Sequence, residues 1–383
     1  MVFVLSEWMD TMKTGLSALL IAMTCNLVIA QDNADILIGA SLPLSGPNAG
    51  AGQEGLAVIK AYFDSINKSG GIGGRNLSLT ALDDAFNPQK AAENANQLIS
   101  AKTVAILNCW GTASCSAMMP IITKAGIPMV SGIAGGGPMR QQPGRFAFNV
   151  RPTTNAEIAH MVKQMTTVGQ NGIALVYQND PFGKSGQVAA QEVFIKAGVK
   201  PVAELALERD ASNASVVVAA LQKIPGLNGI ILVAAPPATV KLIPEARKAG
   251  LSTQFYNLAA QANSKLAADL GANTAGVVFT TLVPSPWREG LPVVKEYQNI
   301  YGTATGKKEF SYLGLEVFIN AKVLVEGLRK AGRNVTRETL VYGLETMGDR
   351  QYGSMRIGYG PGDREGSTYV GLTIINREGR FVE

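Results

Sequence analysis

Along most of the chain, short runs of β-branched and aliphatic residues alternate with longer runs whose apolar positions recur every three or four residues. The first pattern predicts buried strands and the second amphipathic helices. Regular alternation of the two points to parallel sheets covered by helices, because parallel neighbours need a long crossover. A first series has strands at 36–42, 77–83, 104–107 and 128–131, with helices near 52–67, 88–100 and 114–125. The segment 146–151 then leads through Pro152 and Thr153 into a second series. Its strands fall at 173–177, 201–207, 229–233, 254–257 and 277–281, and its helices near 156–168, 183–197, 215–224 and 238–249.

Pro284-Ser285-Pro286-Trp287 interrupts the alternation. Helical patterns at 292–301, 314–331 and 337–347 follow without strands of their own, so they are expected to pack back on the first series. Alternating segments at 355–359, 369–375 and 381–382, separated by the turn Gly360-Pro361-Gly362-Asp363, read as closing strands. The expected fold class is α/β: two doubly wound parallel-sheet lobes, the first from 31–151 plus 285–359 and the second from 152–284 plus 360–383. A chain that crosses between similar lobes more than once makes a hinge, and open α/β sheets bind ligands in such clefts.

A length of 383 residues suits two domains, and 46% apolar residues with scattered charges describe a globular chain. The N-terminus reads as an address: Lys13, an apolar core over 16–30, and small residues Val28 and Ala30 before Gln31, giving an export signal cut after Ala30. Glu7 and Asp10 do not suit such a signal, which makes Met12 the expected true start. The alternative, an uncleaved anchor, is short of the roughly 20 residues a span needs, and Ala22-Met23-Thr24 is a poor setting for lipid attachment at Cys25. Without the first thirty residues, 33 basic against 27 acidic residues leave +6. Dispersed as they are, these charges form no nucleic-acid footprint. Cys109 and Cys115 remain; pairing is open to them in an oxidising compartment, but small buried thiols are the expected state.

The stretch VAILNCWGTASCSAMM at 104–119 carries the most chemistry. A buried strand feeds a helix whose first amides are uncovered, and such a start holds an anion without a charged side chain. Thr112 or Ser114 is placed to cap that helix and touch the same anion. Other signals are weaker. Gly50, Gly52 and Gly55 spell Gly-x-Gly-x-x-Gly, but they follow the strand end near Leu42 too late for a dinucleotide turn, and a loop closing over a small ligand is the better expectation. His160 shares a helix face with Glu157 and has no converging partners, which makes it a solvated surface residue. Asp83-Asp84 before Asn87-Pro88 reads as turn and capping chemistry. No nucleophile elbow or metal-ligand spacing occurs, so neither enzyme activity nor a cofactor or metal is expected.

Several motifs in order carry a resemblance to a known family: IGASLPLSGP at 38–47, GGIGGR at 70–75, LDDAFNPQKA at 82–91, WGTAS at 110–114, AGIPMVS at 125–131, DPFGKSG at 180–186 and AKVLVEGLRKAG at 321–332. With them the chain resembles the periplasmic substrate-binding proteins of ABC importers, of the leucine/isoleucine/valine-binding type. The resemblance covers nearly the whole chain after residue 30. It implies two lobes joined by three crossover strands, a ligand cleft between them, and a periplasmic monomer that delivers a small carboxylate ligand to an ABC permease without doing chemistry.

Residue by residue, the resemblance puts the ligand carboxylate on Thr112, with Trp110 and Gly111 beside it. The loop after the fourth strand, with Ser131, Gly132, Ile133 and Gly135, is implied on the other side of the ligand head. Phe182, Ala235 and Ala259 follow second-lobe strands. Two departures stand out: Gly135 replaces the Thr of amino-acid binders, and Leu258-Ala259-Ala260-Gln261 lacks their Glu for the ligand ammonium. Leaving a desolvated ammonium unpaired costs several kcal/mol. The expected ligand is therefore an organic acid without an α-amino group, its apolar or aromatic body near Trp110, Phe182 and Ile133, unless those aromatics are plain packing residues. A branched-chain amino acid binder using an acid elsewhere, a ligand sensor acting through a signalling partner, and an exported enzyme with an unrecognised catalytic set are the alternatives.

Overall fold

A computed structural model describes residues 34–46, 48–136, 140 and 144–383. The export signal and its cleavage site lie outside the described residues. In the first lobe, β1 (Ile36–Leu42), β2 (Leu77–Asp83), β3 (Ala105–Leu107), β4 (Met129–Val130) and β5 (Ala147–Phe148) form one sheet in the order β2-β1-β3-β4-β5, every pair parallel. Its crossover helices are α1 (Ala49–Lys68), α2 (Pro88–Ser100) and α3 (Thr112–Lys124).

The second lobe repeats the plan with β6 (Ile173–Gln178), β7 (Ala203–Leu207), β8 (Gly229–Val233), β9 (Gln254–Asn257) and β10 (Val277–Thr281). Its helices are α4 (Thr154–Thr167), α5 (Pro181–Ala197), α6 (Ala214–Gln222), α7 (Pro236–Lys248) and the two-turn α8 (Ser264–Leu270). Central strands such as β8 and β10 are buried throughout, as expected where helices cover both faces, whereas the edge strand β7 is partly exposed. Helix starts follow local capping: Asn87 accepts from the Gln89 and Lys90 amides ahead of α2, and Thr153 and Asp180 cap α4 and α5.

The chain passes between the lobes three times. After β5 it enters α4. After β10 it returns to the first lobe as α9 (Pro292–Thr305), α10 (Tyr312–Ala331) and α11 (Arg337–Glu345), with α9 and α10 packed on α1. It then rejoins the second sheet as β13 (Gly371–Ile375), antiparallel to β10, and β14 (Phe381–Val382). The first and third passages pair: the Asn149 amide donates to the Arg364 carbonyl at 2.9 Å and the Gly366 amide to the Asn149 carbonyl at 2.7 Å. In the second passage Trp287 stacks on Phe381 of β14 and meets the edge of Tyr312 in α10.

Three expectations change here. Gly50, Gly52 and Gly55 lie inside α1 rather than in a loop: a Cβ on Gly52 would sit 2.2 Å from the Pro43 carbonyl oxygen and one on Gly55 3.1 Å from the Trp110 ring, so these two glycines let the helix lie close. The segment near 355–359 joins neither large sheet; β12 (Met355–Ile357) pairs with β11 (Arg350–Tyr352) as a separate hairpin. Cys109 and Cys115 are not free thiols but a disulfide, their Cα atoms 5.4 Å apart across the turn from β3 into α3.

Candidate ligand-binding site

The sheet order 2-1-3-4-5 has its switch point between β1 and β3, and the second sheet has the same order about β6 and β8. Crevices open at the carboxyl ends of strands at such points. Here the carboxyl ends of both sheets border one cavity of about 890 Å³. The first lobe contributes the segment after β3 (Trp110 to Ser114), Ile133, Ala134 and Gly135 after β4, and Phe86 after β2. The second contributes Gln178 at the end of β6, Asp180 and Phe182 after it, Ala235 and two prolines after β8, and Leu258, Ala260 and Gln261 after β9.

Gly111 shapes the turn into α3. It is the N-cap at φ +81° and ψ 145°, a conformation closed to ordinary side chains, and a Cβ there would lie 2.6 Å from the Phe86 ring. No side chain caps this helix, so the expectation that Thr112 or Ser114 does so is corrected: α3 begins at Thr112, one residue too early. The Thr112, Ala113 and Ser114 amides precede the first intrahelical bond, from the Cys115 amide to the Gly111 carbonyl. Thr112 and Ser114 are buried and border the cavity. The turn is held three ways: by the disulfide, by the Gly111 amide bonding the Ile133 carbonyl at 3.1 Å, and by the Ile133 amide bonding the Cys109 carbonyl at 2.8 Å.

The start of α7 differs. Pro236 and Pro237 follow its N-cap and bring no amides, and the Ala235 amide is spent on the Gln178 Oε1 at 2.9 Å. Opposite α3, the second lobe presents an acid. Glu157 in the first turn of α4 is 1% exposed yet borders the cavity; its Oε2 accepts the Ala259 amide at 2.8 Å and the Thr280 hydroxyl. Burial pushes the Glu157 carboxyl above the usual range, against the pull of Arg151, Thr280 and the Ala259 amide. Arg151, also at the cavity, is itself bound by Glu316 of α10 through two bonds of 2.8 Å. Among the described residues no group of His, Cys, Asp or Glu is arranged to hold a metal ion.

The profile of the periplasmic binding protein family matches residues 35–379. The chain belongs to this family. A relative named amino acid binding protein, from Pseudomonas aeruginosa, is 23% identical over 74% of this chain and 77% of its own. Among solved structures, a substrate-binding periplasmic protein from Ralstonia solanacearum superposes with a TM-score of 0.83 at 26% identity, covering 91% of this chain and 99% of that one. A fatty acid ABC transporter substrate-binding protein from Thermomonospora curvata has a TM-score of 0.81 at 20% identity, over 91% of each chain, a likeness of fold.

In this periplasmic binding protein, Trp110, Gly111, Thr112, Ile133, Gly135, Phe182 and Ala235 border this cavity. Ser131, Gly132 and Ala259 do not: Ser131 and Gly132 are buried away from it, and the Ala259 amide is turned onto Glu157. Trp110 is largely a core residue, 6% exposed. Sequence reasoning missed Phe86, Arg151, Thr154 and Glu157. A signal for Glu157 existed, since it shares with Met161 and Met165 the buried stripe of α4, where an unpaired acid is out of place. His160, with which it was paired, is half-buried and does not border the cavity.

Proposed function

We propose that this protein captures a small organic carboxylate between its lobes, as a monomer, and that an ABC permease reads the closed form. The observation that carries the reading is the start of α3: three unpaired amides, the Thr112 hydroxyl and the positive helix end border a cavity shared by both lobes. Ligand contacts to both lobes favour the closed state and so shift the equilibrium towards it. Phe86, Ile133, Phe182 and Leu313 offer an apolar surface to the ligand body.

The ligand class we favour is an organic acid without an α-amino group. Gly135 and the loop Leu258-Ala259-Ala260-Gln261 lack the hydroxyl and carboxylate of amino-acid binders. A branched-chain amino acid is the second reading, favoured by one observation: Glu157 reaches the cavity from α4, so an acid absent from that loop is supplied from elsewhere. Names among the relatives and structural neighbours include both an amino acid binder and a fatty acid binder.

A thermal-shift screen of aliphatic amino acids against aliphatic and aromatic carboxylates tests both readings, since ligand at 100 times its Kd adds about 2.7 kcal/mol. Stabilisation by leucine, with none by amine-free acids, replaces the first reading by the second. Thr112→Val removes a hydroxyl-to-carboxylate bond of about 1.5–3 kcal/mol, so affinity for a carboxylate is expected to fall about 10- to 150-fold with the unliganded fold intact. Unchanged affinity refutes the assignment.

A further inference from the structure

We propose that Glu157 is the specificity-determining residue of this site and that the ligand presents to it a hydrogen-bond donor, a hydroxyl or an ammonium group. The inference rests on the carboxylate-capture reading and concerns what the ligand carries besides its carboxylate. Glu157 Oε2 is spent on two protein donors, the Ala259 amide and the Thr280 hydroxyl. Oε1 is the oxygen left over. A Cβ drawn on Gly135 lies 3.5 Å from that oxygen and 2.6 Å from Thr154 Oγ1, so both face the ground that a side chain at 135 covers in amino-acid binders.

A second observation points the same way. Gln261, 3% exposed and bordering the same cavity, has a buried Oε1 with no hydrogen-bond partner. A buried amide oxygen left unpaired is costly. The Glu157 carboxylate oxygen and the Thr154 hydroxyl therefore face the ligand on this side, with the buried Gln261 amide oxygen on a residue of the same cavity wall, all able to accept. Arg151 offers little in exchange, because it already gives Nε and Nη2 to Glu316. A ligand carboxylate is repelled here and drawn to α3, which orients the ligand with its donor towards Glu157.

The test uses the exported chain and three acids of one shape: 4-methylpentanoate, 2-hydroxy-4-methylpentanoate and leucine, measured by titration calorimetry. The unchanged protein is expected to bind a donor-bearing acid about 10-fold or more tightly than 4-methylpentanoate, the scale of one hydrogen bond to a charged group. In Glu157→Gln the oxygen stays with the Ala259 amide and an NH2 replaces Oε1. An ammonium, which only donates, then loses nearly all of its advantage; a hydroxyl, which also accepts, loses only a few-fold, so the two sources separate. Thr154→Val, which leaves both bonds of the Arg151–Glu316 pair in place, reads the same preference should Glu157→Gln fail to fold. Equal binding of all three acids by the unchanged protein overturns the proposal. So does a preference that survives Glu157→Gln undiminished, or an equal loss for all three, which marks a merely structural role. Binding of none of the three refutes the carboxylate reading itself and the proposal with it.

Discussion

Gly111→Ala is the sharpest perturbation of the turn that begins the site. Two costs are separable. At φ +81° and ψ 145° the backbone occupies a region nearly exclusive to glycine, worth about 1–3 kcal/mol. The new methyl also stands 2.6 and 2.9 Å from two atoms of the Phe86 ring, an overpacking of about 1–3 kcal/mol. Together they make about 2–6 kcal/mol, a large part of the roughly 5–15 kcal/mol that holds a domain folded. Urea denaturation followed by circular dichroism is expected to show a lower midpoint at unchanged slope. Repeating the substitution in a Phe86→Ala background removes the ring but not the backbone strain, so its cost is expected to drop to about 1–3 kcal/mol. An equal cost in both backgrounds refutes the Phe86 contact, and a cost below about 0.5 kcal/mol in either refutes the strained turn.

Replacing Cys109 and Cys115 together by Ser opens a seven-residue loop, with an expected loss of about 2 kcal/mol by denaturation under non-reducing conditions; an equal midpoint with and without reductant in the unchanged protein contradicts the disulfide. Arg151→Met leaves Glu316 buried without its partner and is expected to cost about 3–5 kcal/mol, most of it recovered in Arg151→Met/Glu316→Met; additive costs speak against the pair. For Glu157 the folded carboxyl sits above its ordinary 4.5, so the stability it contributes is full below the unfolded value and is lost as pH rises through the folded one. The melting temperature of the unchanged protein relative to Glu157→Gln is therefore expected to fall as pH rises from 4 towards 8, and a difference that is flat or grows with pH refutes the buried acid.

Element type and order were legible because each crossover helix and each central strand carries its own periodicity. The edge strand β7 and the long helix α10 were found within a few residues on pattern alone. The misses have local causes. Helix α8 has only two turns, too few for a period to show, and the three-residue β11 has no apolar run and exists through its partner β12. The Gly-x-Gly-x-x-Gly at 50–55 reads as a loop in the sequence although the helical pattern already begins near 52; the helix starts at Ala49, and Gly52 and Gly55 let it lie against Pro43 and Trp110.

The site divides along the same line. Thr112 and the helix start after β3 could be read from sequence because strand, turn, glycine and hydroxyl are consecutive, so local geometry suffices to aim them. For Glu157 the pattern shows only that it is buried, not what it meets, because its partners Ala259 and Thr280 lie 102 and 123 residues away and only the second sheet brings them to it. The same holds for Arg151, whose charge is answered by Glu316 from a helix that returns to the first lobe 165 residues later, after β10. A pattern of residue types specifies which faces are buried. Which buried polar atoms are left over to meet a ligand depends on hydrogen bonds made between distant segments, and those are settled only when the lobes are packed.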